Sequence, residues 1–314
     1  MLDAHGWVSV AELIIYVPAL FASVFICTRH GFRRGSGWIY TLILCLIRII
    51  GAICRLVSYH DPSTGLYVTI AVLDSVGLNP LLLATLGLLS RFVDFIHGQT
   101  NCLITATHIR VVGLVTIVGL ILSIAGGTSI NFHPDGSYSI PTTSKAGVAL
   151  YCVSFIAQVG LLILTIGKVS YVPSKERRVP FAVMIAMPFI LVRLIYSILS
   201  ISVSNHHIFG MIGGNVVVWV CMSVIEEIIV IYLYVILGFT LDKLDPAQAG
   251  PIMNPPPKVS RKERRANQYE MSGYQVNEAY YPKPSEYGNG ASEQGVVNSH
   301  GQTVPATDAY SGRV

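Results

Sequence analysis

Seven ionisable side chains fall inside stretches that are otherwise apolar: Glu12, Arg48, Arg55, Asp74, Arg193, Glu226 and Glu227. An ionisable group at bilayer depth costs at least about 2.5–3.5 kcal/mol on insertion scales, so each one needs a partner or a wet cavity. Two kinds of chemistry suit these residue types. Arginine–carboxylate pairs can do no more than hold helices in register. Alternatively, the same groups surround a polar cavity that takes a charged or amphipathic ligand or carries protons. Four acids against three arginines leave one carboxylate in excess.

Spacing narrows the arrangement. Arg48 and Arg55 are seven residues apart and share one helical face with Cys45 and Ala52. Counted from the nearest loops, Arg55 and Asp74 both fall in one half of the bilayer and form the expected adjacent pair. Arg48, Arg193, Glu226 and Glu227 cluster near mid-depth, and Glu12 sits nearer the surface. Further polar stripes run through Glu12, Tyr16, Ala19 and Ser23, through Arg193, Ser197, Ser200 and Ser204, through Tyr151, Ser154 and Gln158, and through Ser223, Glu227 and Tyr234. Asn215, Trp219 and Glu226 occupy the side next to that last stripe. The candidate ligand-binding or charge network is therefore Arg48, Arg55, Asp74, Arg193, Glu226 and Glu227. In it, the three arginines face an anionic group and the three acids serve as counter-charges. Pro80 is expected to free the carbonyl of Val76, and Pro188 that of Met184, near Arg193.

The elements that carry these residues follow from hydropathy. Of the 314 residues, 52% are hydrophobic and only 12% charged, and the mean hydropathy is +0.59. Ordinary soluble domains carry about 25% charged residues. A hydrocarbon core of about 30 Å takes about 20 apolar residues per helix. Seven such runs occur, at about 9–27, 38–58, 66–89, 109–125, 147–167, 180–203 and 211–239. The predicted fold is an all-α, polytopic membrane protein with seven transmembrane helices over residues 1–240. Glycines and hydroxyls in the fourth run (Gly113, Thr116, Gly119, Ser123) suit close helix packing.

Charge supplies orientation. The first 239 residues hold thirteen basic and nine acidic side chains, whereas the last 75 hold eight of each, so the net +4 belongs to the apolar part. Arg29, Arg33, Arg34, Arg91, Arg110, Lys168, Lys175, Arg177 and Arg178 all lie at loops or span ends on one side. Only Lys145 lies on the other. Basic loops stay inside, which places the N-terminus outside and the C-terminus in the cytosol. The first run lacks a basic leader and a cleavage pattern, so it reads as a span and not as a signal peptide.

Residues 241–314 read as a disordered cytosolic tail, rich in Pro, Gly, Ser and Asn. Its cluster Lys258, Arg261, Lys262, Arg264 and Arg265 either solvates the tail or meets anionic lipid, at about 1 kcal/mol per residue. The balanced tail charge argues against a nucleic-acid partner. Six cysteines make no disulfide framework, and Cys54 with Cys152 is the one conceivable bridge. Histidines His5, His60, His133, His206 and His207 lack helical metal spacing, so no metal or other cofactor is expected. No hydrolase elbow or phosphate loop is present, and the chain is not expected to be an enzyme. The last span contains no lysine, which excludes a retinal protein. The first place of comparison with rhodopsin-like receptors reads Leu89-Ser90-Arg91-Phe92, not the receptor motif.

The strings LCLIRIIGAICRLVS (44–58), LDSVGLNPLLLATLGLLSR (73–91), FILVRLIYSILS (189–200) and VIEEIIVIYLYVILG (224–238) resemble a family of fungal seven-helix membrane proteins. That family is defined only as a domain of unknown function. The resemblance spans about residues 10–240 and implies an integral membrane protein without a known activity. A weaker similarity is to the fungal lipid-translocating-exporter-like family linked to aminocholesterol resistance. Arg193 with Tyr196, and Glu226 or Glu227 with Tyr232 or Tyr234, carry it. The functional expectation is an integral protein of the plasma membrane or an endomembrane that binds or translocates a lipid or small amphipathic molecule. A receptor signalling through its cytosolic loops and a ligand-free structural component are the alternatives.

Overall fold

The computed structural model describes residues 3–31, 37–61, 63–97, 104–129, 131–132, 138–139, 141–172, 176–202, 214–242, 296–297 and 303–304. The chain divides into two compact units, residues 1–256 and 257–314. In the second, Val296–Val297 pairs antiparallel with Thr303–Val304. The basic cluster at residues 258–265 lies outside the described residues, as do Arg33, Arg34, Cys102, His133, Lys175, Ser204, His206 and His207.

Among its described residues the first unit holds seven helical spans long and apolar enough to cross a membrane. They are built from α1 (Ala4–His30), α2 (Trp38–Val57), α3 (Thr64–Val76), α4 (Leu78–His97), α5 (Ala106–Thr128), α6 (Thr142–Ile166) and α7 (Arg178–Ser202). The last span comprises α8 (Val216–Trp219), a π-helical turn (Val220–Val224) and α9 (Ile225–Thr240). The third span is longer than its hydropathy run and broken at Gly77 into α3 and α4. Pro80 falls in the first turn of α4, where its missing N–H is not needed by the helix. A two-residue strand pair, Asn131–Phe132 with Tyr138–Ser139, joins α5 to α6.

Neighbouring elements close a ring in the order α1, α2, α3, α5, α6, α7, α9 and back to α1, with α4 inside, against α2, α5, α6 and α7. Sequence explains why α4 takes the centre. Among its leucines it carries Asn79, Thr85, Ser90, Arg91 and Asp94, all buried, and a span with polar side chains on several faces is kept from lipid by neighbours on every side. Every residue from Leu78 to Asp94 is buried. The outer helices turn Ile14, Phe21, Ile53, Leu114, Ile121, Ile156, Ile163 and Ile236 outward, as lipid-facing surfaces do. Between α5 and α6 small residues bring backbones together. A Cβ on Gly126 would lie 2.4 Å from Ser144 N, and one on Gly147 2.9 Å from the Gly119 carbonyl. Close approach of this kind replaces the hydrophobic driving force that lipid removes.

Arg91, expected as a loop cation, lies within α4 and is 1% exposed. Its Nε and Nη2 donate to the Glu176 carboxylate at 3.1 and 2.5 Å, and Nη2 also donates to the Asp242 carbonyl at 3.0 Å. The third span continues past the apolar run because this pair neutralises the arginine. The remaining described cations at that end, Arg29, Arg110, Lys168, Arg177 and Arg178, still outnumber the acids there. Cys27, Cys45, Cys54, Cys152 and Cys221 are all free thiols, so Cys54 and Cys152 form no bridge.

Asp3 caps α1 by accepting the Gly6 N–H at 2.9 Å, and it also accepts the Tyr59 hydroxyl, tying α1 to the turn after α2. The Tyr59 bond, then the Gly6 bond, hold its carboxyl below the ordinary 3.8. Partial burial, then Asp3, push Tyr59 up to about 12. A depressed folded pKa contributes stability that is complete above the ordinary value and is lost as pH falls through the depressed one. Hydrogen exchange of the first turn of α1, corrected for intrinsic rates, is therefore expected to lose protection on acidification through that range. Asp3→Asn is expected to flatten this pH dependence.

Candidate functional site

The break at Gly77 and the π turn both serve one buried cluster. Glu227 in the first turn of α9 is fully buried. Its two oxygens accept Arg48 Nη2 and Nε from α2, each at 2.5 Å, and Oε1 also accepts Arg193 Nε from α7 at 2.7 Å. Arg48 Nη1 reaches Asp74 Oδ1 at 3.0 Å, and Arg55 Nη2 reaches Asp74 Oδ2 at 2.5 Å. Arg193 completes its set with Ser197 Oγ at 2.6 Å and the Asp74 carbonyl at 2.7 Å. That carbonyl stands in the last turn of α3, where helix carbonyls lack intrahelical partners. The acceptor beside Arg193 is thus supplied by the Gly77 break, and not by Pro188 through Met184 or by Pro80 through Val76. Pro188 lies within a continuous α7.

Gly77 also makes room. A Cβ there would stand 2.6 Å from Arg48 Nη2. The π turn widens the last span by a residue and rotates Trp219 inward. Arg55 stacks on its ring, with the guanidinium carbon 4.2 Å from the centroid.

Five of the six predicted residues, Arg48, Arg55, Asp74, Arg193 and Glu227, meet in one network. Glu226 does not join it. Consecutive helical residues point about 100° apart, so with Glu227 inward Glu226 turns to the flank of α9. There it is half-buried, and its Oε2 has no hydrogen-bond partner. The excess carboxylate counted from sequence is therefore held apart from the arginines. Glu12, left out of the predicted six, is buried and lies within electrostatic reach of Arg48, Arg55, Asp74 and Glu227. The arginines face carboxylates, not an open anion site, because pairing inside low dielectric offsets their desolvation.

Next to this network lies a cleft between α3, α5, α6, α7 and the last span, with Asp74 and Arg193 in its wall. It encloses about 620 Å³ of free space, part of it continuous with the surroundings. As it stands the cleft as a whole has room for roughly two waters. Hydroxyl-bearing side chains are numerous in the lining, namely Ser75, Ser123, Ser144, Ser197, Ser200 and Ser223, with Tyr151, although most of its exposed surface is apolar. Ser123 Oγ and Tyr151 OH are buried and close enough to interact with each other, as Tyr151 is with Asn79, but neither makes a hydrogen bond of ordinary geometry. Val148, Tyr196, Ile201 and Trp219 supply the apolar part. The serine stripes on separate spans were visible in the sequence. That they face one another across a cleft was not, because stripe positions do not say which helices are neighbours.

Among the described residues no cluster of His, Cys, Asp or Glu is arranged to hold a metal. The profile of a family described as a domain of unknown function, DUF7702, matches residues 2–244. The chain belongs to the DUF7702 family. The match contains every span, the charge network and the cleft, and it ends a few residues past α9. The comparison with curated proteins returns no match.

Gly77→Ala puts a methyl group where the Arg48 guanidinium lies, and Arg48 is held by Glu227 and Asp74. A loss of about 1–3 kcal/mol is expected, read as a lower unfolding midpoint of the detergent-solubilised protein. Gly160→Ala, whose added Cβ meets nothing within 4 Å, is the control and should leave the midpoint unchanged or raise it.

Proposed function

We propose that this multi-pass membrane protein is not an enzyme, and that it binds or translocates a lipid or small amphipathic molecule through the hydroxyl-lined cleft. The observation that carries this reading is a contrast between two kinds of polar group. Every ionic group in the cleft wall is already engaged. Asp74 receives two arginines, and Arg193 is shared among Glu227, Ser197 and the Asp74 carbonyl. The other polar atoms are hydroxyls: Ser123 Oγ and Tyr151 OH interact only weakly, with each other and with Asn79, in a lining that also holds Val148, Ile201 and Trp219.

A buried hydroxyl without a partner is a binding determinant for a group that returns the hydrogen bond. The cleft therefore favours an uncharged head bearing hydroxyl or carbonyl oxygens on an apolar body. An anionic headgroup, expected from the arginines taken alone, would have to displace Asp74 or Glu227. The resemblance to the lipid-translocating-exporter-like family, carried by Arg193 and Tyr196, points to the same class of cargo. Tyr196 lines the cleft, and the Arg193 guanidinium carbon lies 5.7 Å from its ring centre. The basic ends of the spans favour an orientation with the N-terminus outside and the tail in the cytosol. The cleft lies towards the N-terminal side of the bundle, among the ends of α5 and α7 and the starts of α6 and the last span.

Native mass spectrometry of the protein purified from its membrane, followed by identification of retained small molecules, tests this reading. A neutral, oxygen-bearing amphiphile is expected. Ser123→Ala with Tyr151→Phe removes about two hydrogen bonds of roughly 1 kcal/mol each. Its occupancy at fixed ligand concentration should fall at least several-fold while the folded yield stays constant. Retention of anionic lipid alone, or occupancy unchanged in the double variant, overturns it.

A further inference from the structure

The cleft accounts for only part of the uncommitted polar chemistry inside the bundle. Nine buried side-chain polar atoms lack a hydrogen-bond partner among the described residues, and five of them belong to α1 and α2: Glu12 Oε1, Tyr16 OH, His30 Nδ1, Trp38 Nε1 and Thr41 Oγ1. None of these residues lines the cleft. Glu12, Tyr16, Trp38 and Thr41 are each at least 95% buried. An isolated orphan is often an irregularity of packing. Five on the buried faces of two neighbouring helices, α1 and α2, are a pattern that calls for a common partner, and in buried polar sites that partner is ordinarily internal water.

The five are joined in sequence along the seam. Glu12 and Tyr16 are one helical turn apart on α1 and are within electrostatic reach of each other, and Tyr16 is within reach of Cys45. Cys45 Sγ lies 3.9 Å from Ser23 Oγ across the seam. Thr41 is one turn from Cys45 on α2, and Trp38 is the next residue on that face. The Trp38 ring is 5.5 Å from that of His30, at the far end of α1. Ala19, between Tyr16 and Ser23, is the small residue of the stripe. From Glu12 to His30 the helix rises about 27 Å, close to the thickness of the hydrocarbon core.

The two ends carry proton-exchanging groups. Glu12 is faced by Tyr16 on its own helix, by Arg48 and Arg55 on α2, by Asp74 on α3 and by Glu227 on α9. His30 is faced by Arg29 on α1, Arg91 on α4 and Asp242 after α9. The His30 Nε2–H donates to the Gly238 carbonyl at 2.9 Å, which leaves Nδ1 as the free acceptor.

We propose that the α1–α2 seam holds a file of internal water that carries protons between Glu12 and His30. In the step this implies, the Glu12 carboxyl gives its proton to the adjacent water and becomes a carboxylate. The excess proton moves along the file by exchange of O–H bonds. The His30 Nδ1 accepts it to form an imidazolium, and release to the opposite face restores the neutral ring. Glu12 is reprotonated from its own side. No redox partner is needed, and the reading is independent of the ligand assigned to the cleft.

The test uses the full-length protein in phosphatidylcholine liposomes containing a trapped pH-sensitive dye. A potassium gradient with valinomycin imposes the driving voltage. Proton flux above that of protein-free liposomes is expected. Glu12→Gln, which keeps the shape and removes the titrating group, should lower it to the protein-free rate. Glu226→Gln, outside the seam, should leave it unchanged. If Glu12→Gln fails to give a monodisperse protein, Thr41→Val decides, since it breaks the file without touching the ion pairs. Wild-type flux at the protein-free level, or undiminished flux in the seam variant that folds, overturns the proposal.

Discussion

The carboxylate of Glu227 holds two guanidinium groups from two other helices in a site closed to solvent. In hydrocarbon such a charge has no water to fall back on, so removing either partner leaves an uncompensated ion. This constraint propagates outward. Arg48 must pass Gly77, because any side chain there would occupy the space of its Nη2. The third span must break at that point, and the break presents the Asp74 carbonyl to Arg193. The last span widens into a π turn just before Glu227, which brings Trp219 under Arg55. Turns of this kind recur where a helix must serve a site instead of a repeat.

Around that network the interior is organised by how its polar groups are satisfied. The ion pairs saturate one another and so define geometry more than affinity. A neutral ladder joins α4, α5 and α6, from Asn79 Nδ2 to the Thr116 carbonyl and from Thr116 Oγ1 to Ser154 Oγ. Thr85 and Tyr234 share a hydrogen bond of 2.7 Å between α4 and α9. Uncommitted capacity is left mainly in two places, the cleft hydroxyls and the buried faces of α1 and α2, with Gln158 Oε1 and Glu226 Oε2 apart from both. One opens toward the surroundings beside aromatic and aliphatic walls, as a ligand site does. The other is a narrow polar line between two closely packed helices.

Much of the architecture was legible because a bilayer leaves few options. Seven apolar runs become seven helices long and apolar enough to cross a membrane. The seven-residue spacing of Arg48 and Arg55 foretold a shared face, and both reach Asp74. Other features were hidden for identifiable reasons. Arg91 looked like a loop cation because hydropathy cannot register that Glu176, 85 positions away, neutralises it inside the helix bundle. Glu226 and Glu227 are adjacent and chemically alike, so only helix rotation separates the buried ion from the one at the flank. Pro80 and Pro188 drew attention as helix breakers, whereas the functional break lies at Gly77, whose role is set by a side chain from another span.

By itself the sequence determined that this chain carries seven stretches long and apolar enough to cross a membrane, which residues in them are too polar to face lipid, and which of those share a helical face. Those properties depend on local composition and periodicity, and lipid enforces them helix by helix. Only the tertiary structure decided which helices are neighbours, and with that which charge meets which. It was this pairing that consumed the arginines, so that Arg193 stands in the cleft wall already engaged. The physical reason is that ion pairing and unpaired polarity are properties of distance between helices. In this chain the partners stand up to 179 residues apart, where no local pattern can join them.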